Sequence, residues 1–213
     1  MVAKLLSRMN CTFRGMNYLA HAYLSYNRPF VLVGNMISDF VKGRQKLGYT
    51  AAVQQGITLH RAIDDFTDTH PATAKAKEIF RPHYRLYSGP IMDILYDHFL
   101  ATDTTLFSEA SLLQFTKNVY RTLEEETVHL PPHFLHVLTY MKMENWLYHY
   151  RTPEGIRKSL QGLIRRASFV NDSNTAYELF LSHYGELRDC YEAFFPDVKQ
   201  MAKQALDVMG EEF

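Results

Sequence analysis

The segment Ile91-Met92-Asp93-Ile94-Leu95-Tyr96-Asp97-His98-Phe99-Leu100 is apolar on nearly every helical face, yet it carries two aspartates four residues apart. A helix that is apolar all round must be buried, so other helices have to pack around it. A carboxylate embedded in such a surface costs several kcal/mol unless it meets a hydrogen-bonded cation, a proton or a metal. The segment therefore dictates a multi-helix domain and sets up a polar requirement inside it.

Three further polar pairs share the i,i+4 spacing: Asn17/His21, Asn35/Asp39 and His60/Asp64. Residues four apart lie on one face of a helix, so four helices can each present a pair to a shared centre. Each pair also has a structural alternative. His60/Asp64 could be a helix ion pair, Asn17/His21 a cap or bridge, and Asn35/Asp39 a cap. Asp93/Asp97 is the hardest to explain without a ligand.

Helical periodicity dominates the chain. Helices are expected near 17–26, 34–42, 50–69, 72–83, 89–102, 108–127, 132–149, 154–167 and 174–208, the last broken near Tyr184-Gly185 and Pro196. Punctuation falls between them at Asn27-Arg28-Pro29, Gly43 to Gly48, His70-Pro71, Ser88-Gly89-Pro90, Pro131-Pro132, Thr152-Pro153 and Asn171-Asp172-Ser173. No alternating β-branched run of strand length stands out. The expected fold is all-α, with residues 16–213 as a single domain. Residues 1–15 fit no element and read either as a loose tail or as sequence upstream of the natural start.

At about 100° per residue, Leu59, Ala62, Ile63 and Phe66 form the apolar stripe of the 50–69 helix. His60 and Asp64 fall on its flank, and Asp68 falls nearly opposite, toward solvent. Hence His60 and Asp64 sit where a lined cavity would be. Donors of the oxygen and imidazole type, without cysteine, suit Mn²⁺, Mg²⁺ or Fe²⁺ and less decisively Zn²⁺. Such a site can hold water beside a phosphate.

Formal net charge is zero, so no global field draws nucleic acid or an anionic membrane. No run approaches the roughly 18 apolar residues of a spanning helix. The two cysteines, Cys11 and Cys190, are far apart and read as reduced thiols in a cytoplasmic protein. Residues 151–166 hold Arg151, Arg157, Lys158, Arg165 and Arg166 against one acid, Glu154. That cluster is either a solvated helix face or a docking patch for an acidic partner.

Several motifs, taken in order, carry a resemblance. They are Met16-Asn17-Tyr18-Leu19-Ala20-His21, Gly34-Asn35 leading to Asp39-Phe40-Val41 and Gly43, and Gly56-Ile57 with His60-Arg61-Ala62-Ile63-Asp64 and Thr67-Asp68. Asp93 with Asp97-His98-Phe99-Leu100, then Asn145-Trp146-Leu147 and Tyr150-Arg151, follow, with Tyr184 and Phe194-Phe195-Pro196 matching more weakly. Over about residues 16–205 the chain resembles the acyl carrier protein phosphodiesterase family.

The resemblance implies an HD-like phosphohydrolase bundle and a divalent metal, with manganese favoured and Mg²⁺ or Fe²⁺ as alternatives. It implies hydrolysis of the phosphodiester joining 4′-phosphopantetheine to a serine of holo acyl carrier protein, an acidic partner suited to the 151–166 cluster. Where HD enzymes have contiguous His-Asp, this chain has Asp97-His98. On this reading His21, Asp39, His60, Asp64 and Asp97 are the expected metal ligands. Asn35 is expected to orient water or a phosphate oxygen, and His98 to protonate the departing serine oxygen or orient that water. Asp93 is expected to hold a ligand in place, and Arg61 to steady the phosphate. Two alternatives remain: a phosphohydrolase of nucleotides or other small phosphorylated molecules, and a helical interaction protein without enzymatic activity. Oligomeric state is not legible.

Overall fold

A computed structural model describes residues 17–167 and 172–211; the 1–15 tail and Cys11 lie outside them. Among the described residues there are helices and no strands, in agreement with the all-α expectation. In chain order the α-helices are α1 (Tyr18–Tyr23), α2 (Pro29–Ile37), α3 (Ala51–Thr69), α4 (Pro71–Tyr84), α5 (Ser88–Thr102) and α6 (Glu109–Glu125). They continue with α7 (Pro132–Met143), α8 (Trp146–His149), α9 (Pro153–Arg166), α10 (Ser173–Ser182) and α11 (Tyr184–Glu211). Short 3-10 turns occupy Ser38–Phe40, Gly43–Gly48, Arg85–Tyr87 and Thr127–His129.

The helix α5 is the buried helix expected from its composition. It is packed by α1, α4, α9 and α11, and every residue from Ile94 to Leu100 is buried. Tyr96 stacks on Phe194 of α11 with ring centroids 4.8 Å apart, and Phe99 meets Phe180 and Tyr184 edge-on. Among the described residues no helix is long and apolar enough to cross a membrane. Cys190 is a buried free thiol.

Several boundaries differ from expectation: the helix expected over 34–42 ends at Ile37, so Asp39 stands in the following 3-10 turn and not on the helix of Asn35, and the helix expected over 17–26 spans only Tyr18–Tyr23. The helix predicted to begin at residue 34 begins at Pro29, because proline is pre-set for the first helical turn, where its missing N–H costs nothing. The predicted 132–149 helix is interrupted at Asn145, which takes a left-handed conformation at φ 45° and separates α7 from α8. Pro196 does not break α11. It sits on an exposed face, as does Glu192, so the Glu192 carbonyl can turn to water in place of its helical partner.

The helices α2 and α3 form the most extensive helix pair. Two glycines set their separation. A Cβ on Gly34 would fall 2.0 Å from the Val53 carbonyl oxygen, and one on Gly56 would fall 2.2 Å from that of Val31. These are backbone atoms of the facing helix and have no side-chain freedom to yield. Gly56→Ala is therefore expected to push α2 from α3 and destabilise the protein by roughly 2–3 kcal/mol in denaturant unfolding. Gly162→Ala, at a helical position with open space beside it, should leave stability unchanged or slightly raised.

Candidate metal centre

The close α2–α3 crossing has a direct chemical consequence. It brings the main-chain carbonyl of Asn35 to 2.7 Å from His60 Nδ1. A carbonyl only accepts, so His60 Nδ1 carries the proton and donates, leaving Nε2 directed away. His21 on α1 is fixed by a parallel device. Asn35 Nδ2 donates to the His21 carbonyl at 2.8 Å and to Ser25 Oγ at 3.1 Å. The amide orientation is thereby set, and Asn35 Oδ1 must accept from His21 Nδ1 at 2.7 Å. Ser25 Oγ donates in turn to the His21 carbonyl at 2.8 Å. One residue, Asn35, thus sets both imidazoles by different atoms.

The two rings stack with centroids 3.9 Å apart and planes 15° from parallel. Their Nε2 atoms face carboxylates. His21 Nε2 lies 3.2 Å from Asp64 Oδ1, and His60 Nε2 lies 3.3 Å from Asp64 Oδ2 and 3.4 Å from Asp39 Oδ1. Both Nε2 atoms are buried and neither makes an aligned hydrogen bond. Lone pairs of two imidazoles and of carboxylates converge there, an arrangement that calls for a positive charge between them. Among the described residues His21, His60 and Asp64 form the one group of three whose donor atoms all lie within 4.8 Å of one another. The imidazole side chains are almost wholly buried, whereas Asp64 is 31% exposed and Asp39 18%. The centre is therefore walled by histidines and opens to solvent along its carboxylates.

A proton on His60 can supply that charge. Burial pulls His60 down, but the carboxylates of Asp39 and Asp64 beside its Nε2 outweigh it and push the ring up to about 10. Burial and the charge on His60 hold His21 low, since two stacked rings cannot both ionise cheaply. Burial would raise Asp64, yet both histidines together hold its carboxyl far below the usual carboxylate range.

The other predicted residues take different places. Asp97 is fully buried on α5 and lies outside the three-residue group; its oxygens accept from the main-chain N–H groups of Leu19 at 2.9 Å and Ala20 at 2.8 Å. Those are free donors in the first turn of α1, for which Asn17 supplies no side-chain cap. Burial drives the Asp97 carboxyl upward, and the two N–H groups draw it back only in part. Its geometry is that of an anchor holding the His21 helix to α5. Asp93 is partly buried, and burial with the nearby charges of Asp64 and Asp68 raises its carboxyl. Asp68 is exposed and pairs with Lys77 at 2.7 Å.

His98 Nδ1 donates to the Tyr150 carbonyl at 2.8 Å, and its Nε2 lies 3.1 Å from Tyr184 Oη. The ring packs edge-on against Phe180 and Phe99, and no hydrogen bond or ring contact joins it to the His21–His60 stack. Arg61 donates to the Val41 carbonyl at 3.2 Å. In the 151–166 cluster, Arg151 is tied to Glu109 and lies over the Tyr148 ring, and Arg157 lies 4.2 Å over the Tyr177 ring. Arg166 is half-buried, which leaves Lys158 and Arg165 open to solvent. Ser25 was not foreseen; its i+4 spacing from His21 was the available signal.

Two outcomes follow. Asn35→Ala leaves both histidines folded but frees the His21 tautomer, so divalent-ion affinity by calorimetry should fall roughly 10- to 100-fold. In chelator-treated protein, the raised His60 contributes stability that is complete below its ordinary value of 6.5 and is lost as pH rises through about 10. Melting temperature should fall across that window, and His60→Gln should remove the dependence.

The chain matches the family model described as acyl carrier protein phosphodiesterase over residues 16–198. It is similar to the acyl carrier protein phosphodiesterase of Enterobacter sp. (strain 638), at 32% identity over 88% of this chain and 98% of that protein. It is 32% identical to that of Salmonella agona (strain SL483) over 90% of this chain and 100% of that protein. For that of Photorhabdus laumondii subsp. laumondii the figures are 30%, 88% and 96%. No solved structure matches the chain. With a family model spanning most of its length and relatives matched nearly end to end, the chain belongs to the acyl carrier protein phosphodiesterase family.

Proposed function

We propose that this protein is a divalent-metal-dependent phosphodiesterase that releases 4′-phosphopantetheine from the serine of holo acyl carrier protein. The observation that carries the metal is the pair of buried Nε2 atoms, each with its Nδ1 proton already committed, facing Asp64 and Asp39. His21, His60 and Asp64 would hold the ion, with Asp39 completing the set from the His60 side. Two imidazoles with carboxylates and no thiolate suit Mn²⁺ or Fe²⁺. The substrate rests on family membership.

When bound, a divalent ion lowers the pKa of water and neutralises charge developing on the phosphoryl oxygens. The protein supplies rigidity and polarity. Asn35 keeps both histidines in one tautomer. Asp97 fixes the height of α1, and so of His21, above α5. The attacking water sheds its proton at the solvent-facing opening lined by Asp39 and Asp64, and a proton reaches the departing serine oxygen through that same solvent. The new P–O bond comes from water, and the bond to the serine oxygen breaks, with that oxygen leaving protonated. Arg61, next to His60 at the open side, offers a charge to the phosphate.

Holo carrier protein incubated with the enzyme and Mn²⁺ should lose its prosthetic group, followed by mass. Chelator should abolish the loss, and His60→Ala should slow it by at least about 100-fold. Turnover of a nucleotide panel with the prosthetic group left in place would contradict the assignment. Because the ion replaces the proton on His60, its binding at pH 7 should release about one proton into weak buffer.

A further inference from the structure

The chain distributes its charge unevenly. Asp39 and Asp64 are the first two acidic residues of the entire sequence, and both stand in the metal centre. Between them, residues 40–63 contain no Asp or Glu and carry Lys42, Arg44, Lys46 and Arg61. In a chain of zero net charge this places a local excess of positive charge at one spot.

The fold puts that excess beside the site. The 3-10 turn Ser38–Phe40, which carries Asp39, leads through Val41 into the exposed turn Gly43–Gly48. Lys46 Nζ reaches Thr58 Oγ1 at 2.5 Å on α3, which holds the turn against the helix that carries His60 and Asp64. Arg61, one helical turn beyond Thr58, bonds back to Val41. Lys42, Arg44 and Arg61 are exposed, and among the described residues none of the four cations is paired with a carboxylate. Leu47, at 66% exposed, stands among them. By contrast, Arg151 and Arg157 of the 151–166 cluster are already engaged by Glu109 and Tyr177.

We propose that the Lys42–Arg44–Lys46 turn with Arg61, centred on the exposed Leu47, is the docking surface for the acidic protein substrate. Unpaired cations around one exposed apolar side chain match an acidic protein surface with an apolar contact of its own. Bare charge alone would suit a nucleic acid, which has no use for Leu47. Position adds a reason: a protein seated on this turn brings its modified side chain to the carboxylate-lined opening. The inference rests on the reading of carrier protein as substrate.

The test measures binding of fluorescently labelled holo acyl carrier protein by anisotropy, in parallel with pantetheine release. Lys42→Glu/Arg44→Glu should weaken binding at least about tenfold at ~50 mM salt, with the difference shrinking at ~500 mM. Leu47→Ser should weaken it at both salt levels. Lys117→Glu, on the exposed face of α6, serves as control, and unchanged melting temperatures verify the fold. Three outcomes overturn the proposal: wild-type affinity in Lys42→Glu/Arg44→Glu, a loss confined to Lys158→Glu/Arg165→Glu, or equal competition by an RNA oligomer. If carrier protein binds through this turn but keeps its prosthetic group, the docking surface stands and the catalytic reading falls. If the group is released while the turn variants bind normally, the reverse holds.

Discussion

The candidate metal centre depends on how closely two backbones approach. Gly34 and Gly56 let α2 and α3 touch main chain to main chain, and nothing larger fits. Because they touch, the carbonyl of Asn35 reaches His60, while the side chain of the same residue reaches His21. A wider crossing would lengthen the first bond and leave the second intact, so the two rings would no longer stack. The site is therefore coupled to packing: its donor geometry is set by a helix–helix distance rather than by the ligands.

Electrostatics then complete what packing begins. With both Nδ1 protons committed, the Nε2 lone pairs and two carboxylates share one small volume. Such a group is costly without positive charge, and a proton on His60 between Asp39 and Asp64 can supply it. A divalent ion would answer the same requirement and leave both imidazoles neutral. The burial pattern gives direction: histidines form the wall and carboxylates the opening.

Much of this was legible in the sequence, and the reasons for the remainder are physical. The i,i+4 spacing put His60 and Asp64 on one face of α3, but the expected stripe is turned: Val53, Gly56, Ile57, His60, Ile63 and Thr67 are buried whereas Ala62 and Phe66 are only partly so, which sets His60 within the buried face and Asp64 at its edge. The all-round apolar character of Ile91 to Leu100 correctly marked a central helix. Spacing, however, gives a face and not a neighbour. Asp97 was expected as a ligand because a buried carboxylate needs compensation; part of that compensation comes from the main-chain N–H groups of Leu19 and Ala20, 78 and 77 residues away in sequence. Main-chain donors leave no trace in side-chain patterns. His98 likewise meets a carbonyl and a tyrosine from distant segments. Asn35 was expected to orient water or a phosphate oxygen; the contacts its amide makes, with His21 and Ser25, could not be read from spacing. The glycines stood within recognisable motifs, but only the three-dimensional crossing explains why they must be glycine.

The central claim is that two histidines whose Nδ1 protons are held by Asn35 turn their Nε2 atoms onto one ion. Pulsed EPR of Mn²⁺ bound to protein carrying ¹⁵N-labelled histidine tests it directly. Coupling to two histidine nitrogens is predicted, reduced to one in His21→Ala and in His60→Ala alike. Mn²⁺ that shows no histidine coupling, or coupling to two histidine nitrogens that persists undiminished in both variants, would contradict it.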